Sequence, residues 1–269
     1  MVGLMVDIKN LNFKYKDKLI FENFNLNIKE NTIITIIGPN GCGKSTLVKI
    51  LSGLLEFEGN IEINNIKLNK DNIKDIRKNI GVVFENPDNQ FVKEIVYDEI
   101  AFVLKNIGME KNEINDEVLK IAKYLKIDNI LNWEIRKLNT NQKQLVCLAS
   151  SLVHKPKLLI LDESLSLIDP LVRDNILELL NDLKEEGMTI INISHDIEDT
   201  LISDEIVVMD NGKIVIKGKK EKVFKNEKLL NSLGYDLPFM VELSNRLMFY
   251  GLIDHIIYDM KEMVDTLWK

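Results

Sequence analysis

Apolar positions change rhythm along the chain, and the changes separate strands from helices. Thr32 to Ile37 (TIITII) is a continuous β-branched run, the pattern of a strand covered on both faces. Glycines follow at once, and Lys44 to Leu51 predicts a helix. Before this unit, Leu4 to Ile8, Leu11 to Tyr15 and Phe24 to Ile28 read as short strands with turn residues between them. After it, Ile80 to Phe84 predicts a strand, Glu85 to Gln90 an Asn/Pro/Asp-rich loop, and Val92 to about Leu131 a mostly helical block inserted into the core. Gln142 to His154 places Leu145, Leu148, Ala149 and Leu152 on one stripe of an amphipathic helix. Lys157 to Leu161 is a buried strand. Asp169 and Pro170 form a helix-start pair, with the aspartate placed to cap and the proline tolerated in the first turn. Ile176, Leu179, Leu180 and Leu183 supply that helix's inner face, and Gly187 ends it. Met188 to Ile193 is a further strand, and Glu205 to Met209 pairs with Lys213 to Ile216 across an Asn211-Gly212 turn. From Lys219 onward the pattern is helical and polar, with a break at Pro238. Strands alternating with helices make the fold class α/β.

With 269 residues, 45% hydrophobic and 29% charged, the chain can bury one sizeable core, or a core with a satellite subdomain. Its apolar runs fall far short of the roughly 20 residues a membrane-spanning helix requires. No charged, apolar, then small-residue succession marks a signal peptide, and two cysteines make no disulfide framework, so a reducing cytoplasm is expected. A formal charge of -7 and a pI near 5.2 argue against a phosphate-backbone surface, so nucleic acid is not an expected partner. Asn, Lys and Ile are abundant.

Gly38-Pro39-Asn40-Gly41-Cys42-Gly43-Lys44-Ser45-Thr46 has the spacing of a phosphate-binding loop and lies between a buried strand and a helix start. Such a loop needs glycines because the backbone must wrap closely around phosphates, offering N–H groups at the positive end of a helix. Lys44 adds a cation for the β- and γ-phosphates, and the Ser45 hydroxyl is a ligand for Mg²⁺. Leu158 to Glu163 is an apolar strand ending in two carboxylates, the place where α/β sheets bind ligands. Asp162 is expected to hold the metal through water and Glu163 to polarise the attacking water of a γ-phosphate hydrolysis. His195, in Ser194-His195-Asp196, closes another strand and is expected to reach the γ-phosphate. Cys147 reads as core, Cys42 as a small residue at a variable loop position, and His154 and His255 as lacking ligand-like company.

The order of these motifs resembles that of an ATP-binding-cassette ATPase over nearly the whole chain. The phosphate loop, Glu85 to Gln90, the helical insert, Leu138-Asn139-Thr140-Asn141-Gln142, the acidic strand, Ser166-Leu167-Ile168-Asp169 and His195 match that family's Walker A, Q-loop, signature, Walker B, D-loop and switch histidine. Within the family, Val82 to Phe91 (VVFENPDNQF), the helix around Val96 to Leu104, and the stretches Gly218 to Phe224 and Leu229 to Tyr235 leading into Pro238 are similar to the ATPase subunits of energy-coupling-factor importers. The resemblance implies a P-loop NTPase core with an N-terminal antiparallel β subdomain, an inserted helical subdomain at about 90–155 and a C-terminal helical extension. The ATPase domain would span 1–220 and the extension 221–269. It implies ATP and Mg²⁺ as cofactors, with Tyr15 stacking on adenine and Ser45, Asp162 and Glu85 around the metal. It also implies a peripheral place on the cytoplasmic face of the membrane. The partners would be a second ABC ATPase subunit, an integral membrane coupling subunit and a substrate-binding membrane subunit that takes up vitamins or transition-metal ions.

Two departures from the family pattern bear on the γ-phosphate. Glu85 stands where the family has a glutamine, adding a carboxylate near metal and water. The signature, ordinarily Leu-Ser-Gly-Gly-Gln, has Asn139, Thr140 and Asn141 in place of serine and two glycines, and Leu145 replaces a usual arginine. In the family that segment closes over the nucleotide of the opposite subunit. Side chains on Thr140 and Asn141 obstruct that approach, although Asn141 tolerates left-handed geometry and Asn139 can still donate a hydrogen bond. Ser166 and Asp169 are expected at the dimer contact. A homodimer would carry two compromised sites, so a heterodimer with an intact-signature relative is expected over a homodimer. The competing readings are a regulatory subunit that holds ATP and hydrolyses little, and a cassette protein acting on ribosomes or DNA.

Overall fold

A computed structural model describes residues 3–166 and 168–268. Two sheets organise it. The first is antiparallel, built from β1 (Leu4–Tyr15), β2 (Lys18–Lys29), β4 (Glu58–Ile63) and β5 (Ile66–Lys67) in the order β2-β1-β4-β5. The second comprises β3 (Ile33–Ile37), β6 (Ile80–Val83), β7 (Leu158–Asp162), β8 (Thr189–Ile193), β9 (Glu205–Asp210) and β10 (Lys213–Gly218), in the order β10-β9-β3-β8-β7-β6. All neighbours in the second sheet are parallel except the β9–β10 hairpin. Its central strand explains the TIITII run. Ile34 and Ile36 face the core shared with the antiparallel sheet and α1 (Lys44–Leu51). Ile33 faces the opposite core and Ile37 a third one, so every position of β3 is buried.

The helical insert is α3 (Val96–Asn106), α4 (Lys111–Tyr124) and α5 (Thr140–Leu152), preceded by α2 (Ile73–Asn79) between β5 and β6. The expected block from Val92 to Leu131 is divided, with α3 and α4 meeting at Gly108 and the chain then turning through short 3-10 segments at Asp128–Ile130 and Ile135–Lys137. α5 begins two residues before the expected start, because Asn139 and Gln142 form a reciprocal capping box. α6 (Pro170–Glu185) buries Ile176, Leu180 and Leu183 against the sheet's other face. The last elements are α7 (Lys220–Phe224), α8 (Glu227–Ser232), α9 (Phe239–Phe249) and α10 (Met260–Leu267), with Pro238 at the N-cap of α9. Among the described residues no helix is long and apolar enough to cross a membrane.

Other expectations differ from the fold in ways the backbone explains. The two N-terminal strands read before Tyr15 are one strand, β1, interrupted at Asn10, whose φ is +52°. The register shift between Ile8 and Leu11 is the matching bulge. β2 extends back to Lys18, and β4, β5 and α2 were not anticipated. β4 (EGNIEI) pairs with β1 and offers only Ile61 and Ile63 to the core, too few apolar positions to stand out in the sequence. Asp169 occupies the N-cap position of α6 but makes no capping bond with its side chain, which goes elsewhere.

Phe21 is fully buried, stands 4.9 Å from Phe24 ring to ring, and lies under the loop before α1. Phe21→Ala is expected to lower the unfolding free energy by about 3–5 kcal/mol, read by urea denaturation. A loss under about 1 kcal/mol would mean the two sheets are not wedged there.

Candidate active site

The carboxyl ends of β3, β7 and β8 lie side by side, Ile36 pairing with Ile193 and Asp162 with Ile193. The loops leaving them form the site, at the edge where parallel sheets bind ligands. From β3 the chain enters Gly38 to Thr46. A Cβ on Gly38 would come within 2.2 Å of the Met209 carbonyl, so only glycine passes there. Gly43 is the N-cap of α1 with φ +112° and has no side chain to cap it. The first-turn amides of α1 are therefore left to an external acceptor, which fits an anion such as phosphate. Lys44 is almost wholly buried. Its Nζ donates to the carbonyls of Gly38 (2.7 Å) and Pro39 (3.3 Å) and lies 3.6 Å from Glu163 Oε1. Cys42 is buried, with desolvation raising its thiol pKa. Asn40, Gly41 and Thr46 fill out the same loop.

Ser45 Oγ donates to Asp162 Oδ1 at 3.1 Å, joining the loop to the end of β7. Burial pushes the Asp162 carboxyl up to about 6, against the Ser45 hydrogen bond, and the negative charges of Glu163 and Glu85 add to the rise. A desolvated carboxylate beside a hydroxyl is a hard oxygen pair calling for a cation, so the residues fit Mg²⁺. Among the described residues no group of three or more His, Cys, Asp or Glu is placed to hold a metal by itself, so phosphate and water oxygens would have to complete the shell. Glu163 has φ +52°, a left-handed backbone that costs a non-glycine residue about 1–2 kcal/mol. Its N–H is fixed on the Ile193 carbonyl at 2.9 Å, and its carboxylate lies between Lys44 and His195, whose Nδ1 is 3.7 Å from Oε2. His195 is otherwise half exposed.

The turn that carries the strand-end histidine is held by groups the sequence did not flag. Arg173 on α6 donates through Nε to Asp199 (3.1 Å) and through a terminal nitrogen to Asp196 (2.7 Å). Ser194 Oγ donates to Asp199 at 2.6 Å, and the Asp196 N–H donates to Ser194 Oγ at 2.9 Å. These partners lie more than twenty residues from Arg173 in the chain, so no local pattern announces them. Glu85 is exposed at the start of its loop. Gln90 ties that loop shut, accepting from the Phe84 N–H (2.9 Å) and donating to the Val82 carbonyl (3.2 Å), while Lys143 of α5 reaches Asp88 at 2.7 Å. Tyr15 sits at the β1–β2 tip, 41% exposed and edge-on to Phe13 at 4.8 Å, which leaves a ring face open for stacking.

The signature residues lie away from this cluster, at the N-terminus of α5. Asn139 Oδ1 accepts from the Gln142 N–H (2.9 Å) and Gln142 Oε1 from the Asn139 N–H (3.0 Å), so the cap consumes both acceptors. Thr140 and Asn141 are ordinary helical residues, so the left-handed geometry expected to relieve Asn141 is not used. Instead Asn141 Nδ2 donates to the Asp169 carboxylate, and its Oδ1 accepts the Asp169 N–H at 3.1 Å. Asp169 thus gives up capping α6 to hold Asn141. Ser166 Oγ donates to the Glu163 carbonyl at 2.8 Å; Leu167 of the same motif lies outside the described residues. Cys147 is core, its thiol pushed up to about 12 by burial.

Comparison with known proteins gives the family. The family model described as ABC transporter matches residues 21–166. The chain is 42% identical to the energy-coupling factor transporter ATP-binding protein EcfA1 of Ligilactobacillus salivarius (strain UCC118), with 98% of this chain and 96% of the relative covered. It is 37% identical to EcfA1 of Bacillus subtilis (strain 168), again over 98% and 96%. Among solved structures it is similar to cbiO1 from Clostridium perfringens, part of the ABC transporter complex cbiONQ. That likeness has a TM-score of 0.76 at 32% identity and covers 85% of this chain and 94% of the other.

Arg173→Met leaves Asp199, 3% exposed, without its guanidinium partner. The expected cost is about 3 kcal/mol of stability, the low end for breaking a buried pair because Arg173 is itself part-exposed. Chemical denaturation reads it, and a loss below about 1 kcal/mol would show that Asp199 does not depend on the pair.

Proposed function

The chain belongs to the ABC transporter family as an ATP-binding subunit of the energy-coupling-factor kind, and from that membership we propose how it works as an importer's motor. It is an ATP-hydrolysing enzyme, and its work is to drive uptake of vitamins or transition-metal ions. It sits peripherally on the cytoplasmic face, docked on an integral membrane coupling subunit that is joined to a substrate-binding membrane subunit. Its immediate partner is a related ATPase subunit.

One observation carries the catalytic half of this reading: Lys44, Glu163 and His195 converge within 3.6–3.7 Å contacts on Glu163, beside the Ser45–Asp162 pair. The uncapped amides of the phosphate loop take the phosphate oxygens of ATP. Lys44 turns its ammonium from the Gly38 and Pro39 carbonyls to the β- and γ-phosphates. Ser45 and Asp162 would hold Mg²⁺, with Glu85 as a third ligand, and the ion when bound would offset the charge of the triphosphate. Glu163 orients water toward the γ-phosphorus and takes its proton, and His195 donates to the γ-phosphate oxygens as the bond to ADP breaks. Tyr15 stacks on the adenine.

The signature half supports asymmetry. In a cassette dimer a signature helix serves the partner's nucleotide, and here that helix N-terminus carries Asn141 bonded to Asp169 and Asn139 engaged in its own cap. A heterodimer therefore has one competent site, made from this chain's phosphate loop and the partner's signature, and one weak site. The passive-holder reading is disfavoured, because Lys44, Ser45, Asp162, Glu163 and His195 are all present, and Glu85 is the one cis position that departs from the family.

Two measurements test this. Glu163→Gln in the complex is expected to lower ATP turnover about 10²–10⁴-fold with nucleotide affinity retained; unchanged turnover would point to a passive holder. The chain alone is expected to hydrolyse ATP about a hundredfold more slowly than the mixed dimer, the effect of lacking a well-placed donor in trans. Equal rates would remove the case for an unlike partner.

A further inference from the structure

Tyr235 belongs to the C-terminal extension, yet its hydroxyl oxygen accepts the N–H of Gly38, the first residue of the phosphate loop, at 3.0 Å in a buried contact. Its ring packs in the cluster that holds Ile37, the residue just before the loop, with Ile206 and Val208 of β9 and Val223, Phe224 and Leu230 of the extension. A ring that served only to pack would need no hydroxyl, and burying a phenol costs free energy unless its oxygen is used. A second bond ties the same extension to the segment after His195, where the Phe239 N–H donates to Glu198 Oε1 at 2.7 Å.

We propose that Tyr235 is a positioning residue for the phosphate loop, through which the C-terminal extension sets nucleotide affinity. The proposal rests on the nucleotide-site reading above and deepens it. Gly38 is held from two sides, its N–H by Tyr235 and its carbonyl by Lys44 Nζ at 2.7 Å. When Lys44 turns to the phosphates, the carbonyl loses that partner and the Tyr235 hydrogen bond remains as the polar anchor of the loop's first peptide. Gly38 cannot readjust freely, because its α-carbon lies against the Met209 carbonyl. The tyrosine hydroxyl therefore stabilises the nucleotide-bound loop more than the free one, and only such a difference alters affinity.

Tyr235→Phe keeps the ring and removes the acceptor. In the full chain assembled with its ATPase partner, the dissociation constant for Mg-ADP, measured by titration calorimetry, is expected to rise about five- to tenfold, the effect of one net hydrogen bond. KM for ATP should rise with it while kcat stays within about twofold, a split that loss of stability alone does not produce. Affinity within twofold of wild type in a folded variant overturns the proposal. Wild-type protein that itself fails to bind Mg-ADP overturns the nucleotide-site reading instead. If Tyr235→Phe does not fold, 3-fluorotyrosine placed at position 235 retains ring and hydroxyl. Its fluorine resonance is expected to shift on Mg-ADP saturation, and an unmoved resonance refutes the coupling.

Discussion

The site is organised around a buried ammonium. Lys44 has lost nearly all contact with water, and a desolvated cation persists only where charge and dipoles replace its hydration. Here the replacements are the Gly38 and Pro39 carbonyls and the Glu163 carboxylate. That demand pulls the phosphate loop back over its own helix and draws Glu163 inward from the end of β7. Glu163 reaches the position only in a left-handed backbone. Beside this pair the Asp162 carboxyl is buried against the Ser45 hydroxyl, its pKa raised to about 6 by desolvation.

A second surface of the same chain is built differently. At the start of α5 two glycines of the usual family motif are replaced, and the larger side chains are used up within the subunit. Asn139 caps its helix and Asn141 is bound to Asp169 by both ends of its amide. Each such bond competes with any contact to a partner's phosphate. The sequence suggested a steric obstruction there; the structure adds that the obstruction is latched to Asp169 in the turn preceding α6, three residues along from Ser166, which itself bonds the Glu163 carbonyl. The altered signature segment and Glu163 are thereby joined through one short turn.

Most of the nucleotide site was legible because its signals are local. The helix from Lys44 to Leu51 and the strands around it follow from β-branched runs meeting glycines, and the acidic strand end follows from composition alone. What was not legible depends on long sequence separations. Arg173 with Asp196 and Asp199, Gln90 with its strand backbone, and Tyr235 with Gly38 are ordinary polar residues until the fold brings them together. The abundance of asparagine was noted without a use. Among the described residues, ten other than glycine have positive φ, and six are asparagines at turns and bulges: Asn10, Asn23, Asn31, Asn64, Asn65 and Asn211. Asparagine takes that conformation at small cost, so the composition serves the antiparallel sheet and its turns. Three of the remaining four are lysines and the last is Glu163, the one that stands against Lys44 at the end of β7.

Each of the three strand-end loops is anchored outside its own sheet. The phosphate loop rests on Phe21 of the antiparallel sheet and on Tyr235 of the extension. The turn after β7 is bound to α5 through Asp169 and Asn141, and the turn after β8 to α6 through Arg173 and to the extension through Glu198. Because the three strand ends are adjacent in one rigid sheet, the loops cannot shift far without disturbing these anchors. The helical insert is thus tied to the turn that follows Glu163, and the extension to the glycine whose carbonyl holds Lys44. The two ties meet around the Lys44–Glu163 contact. An enzyme that must couple hydrolysis to movement elsewhere requires this convergence, and here it follows from the order of the strands.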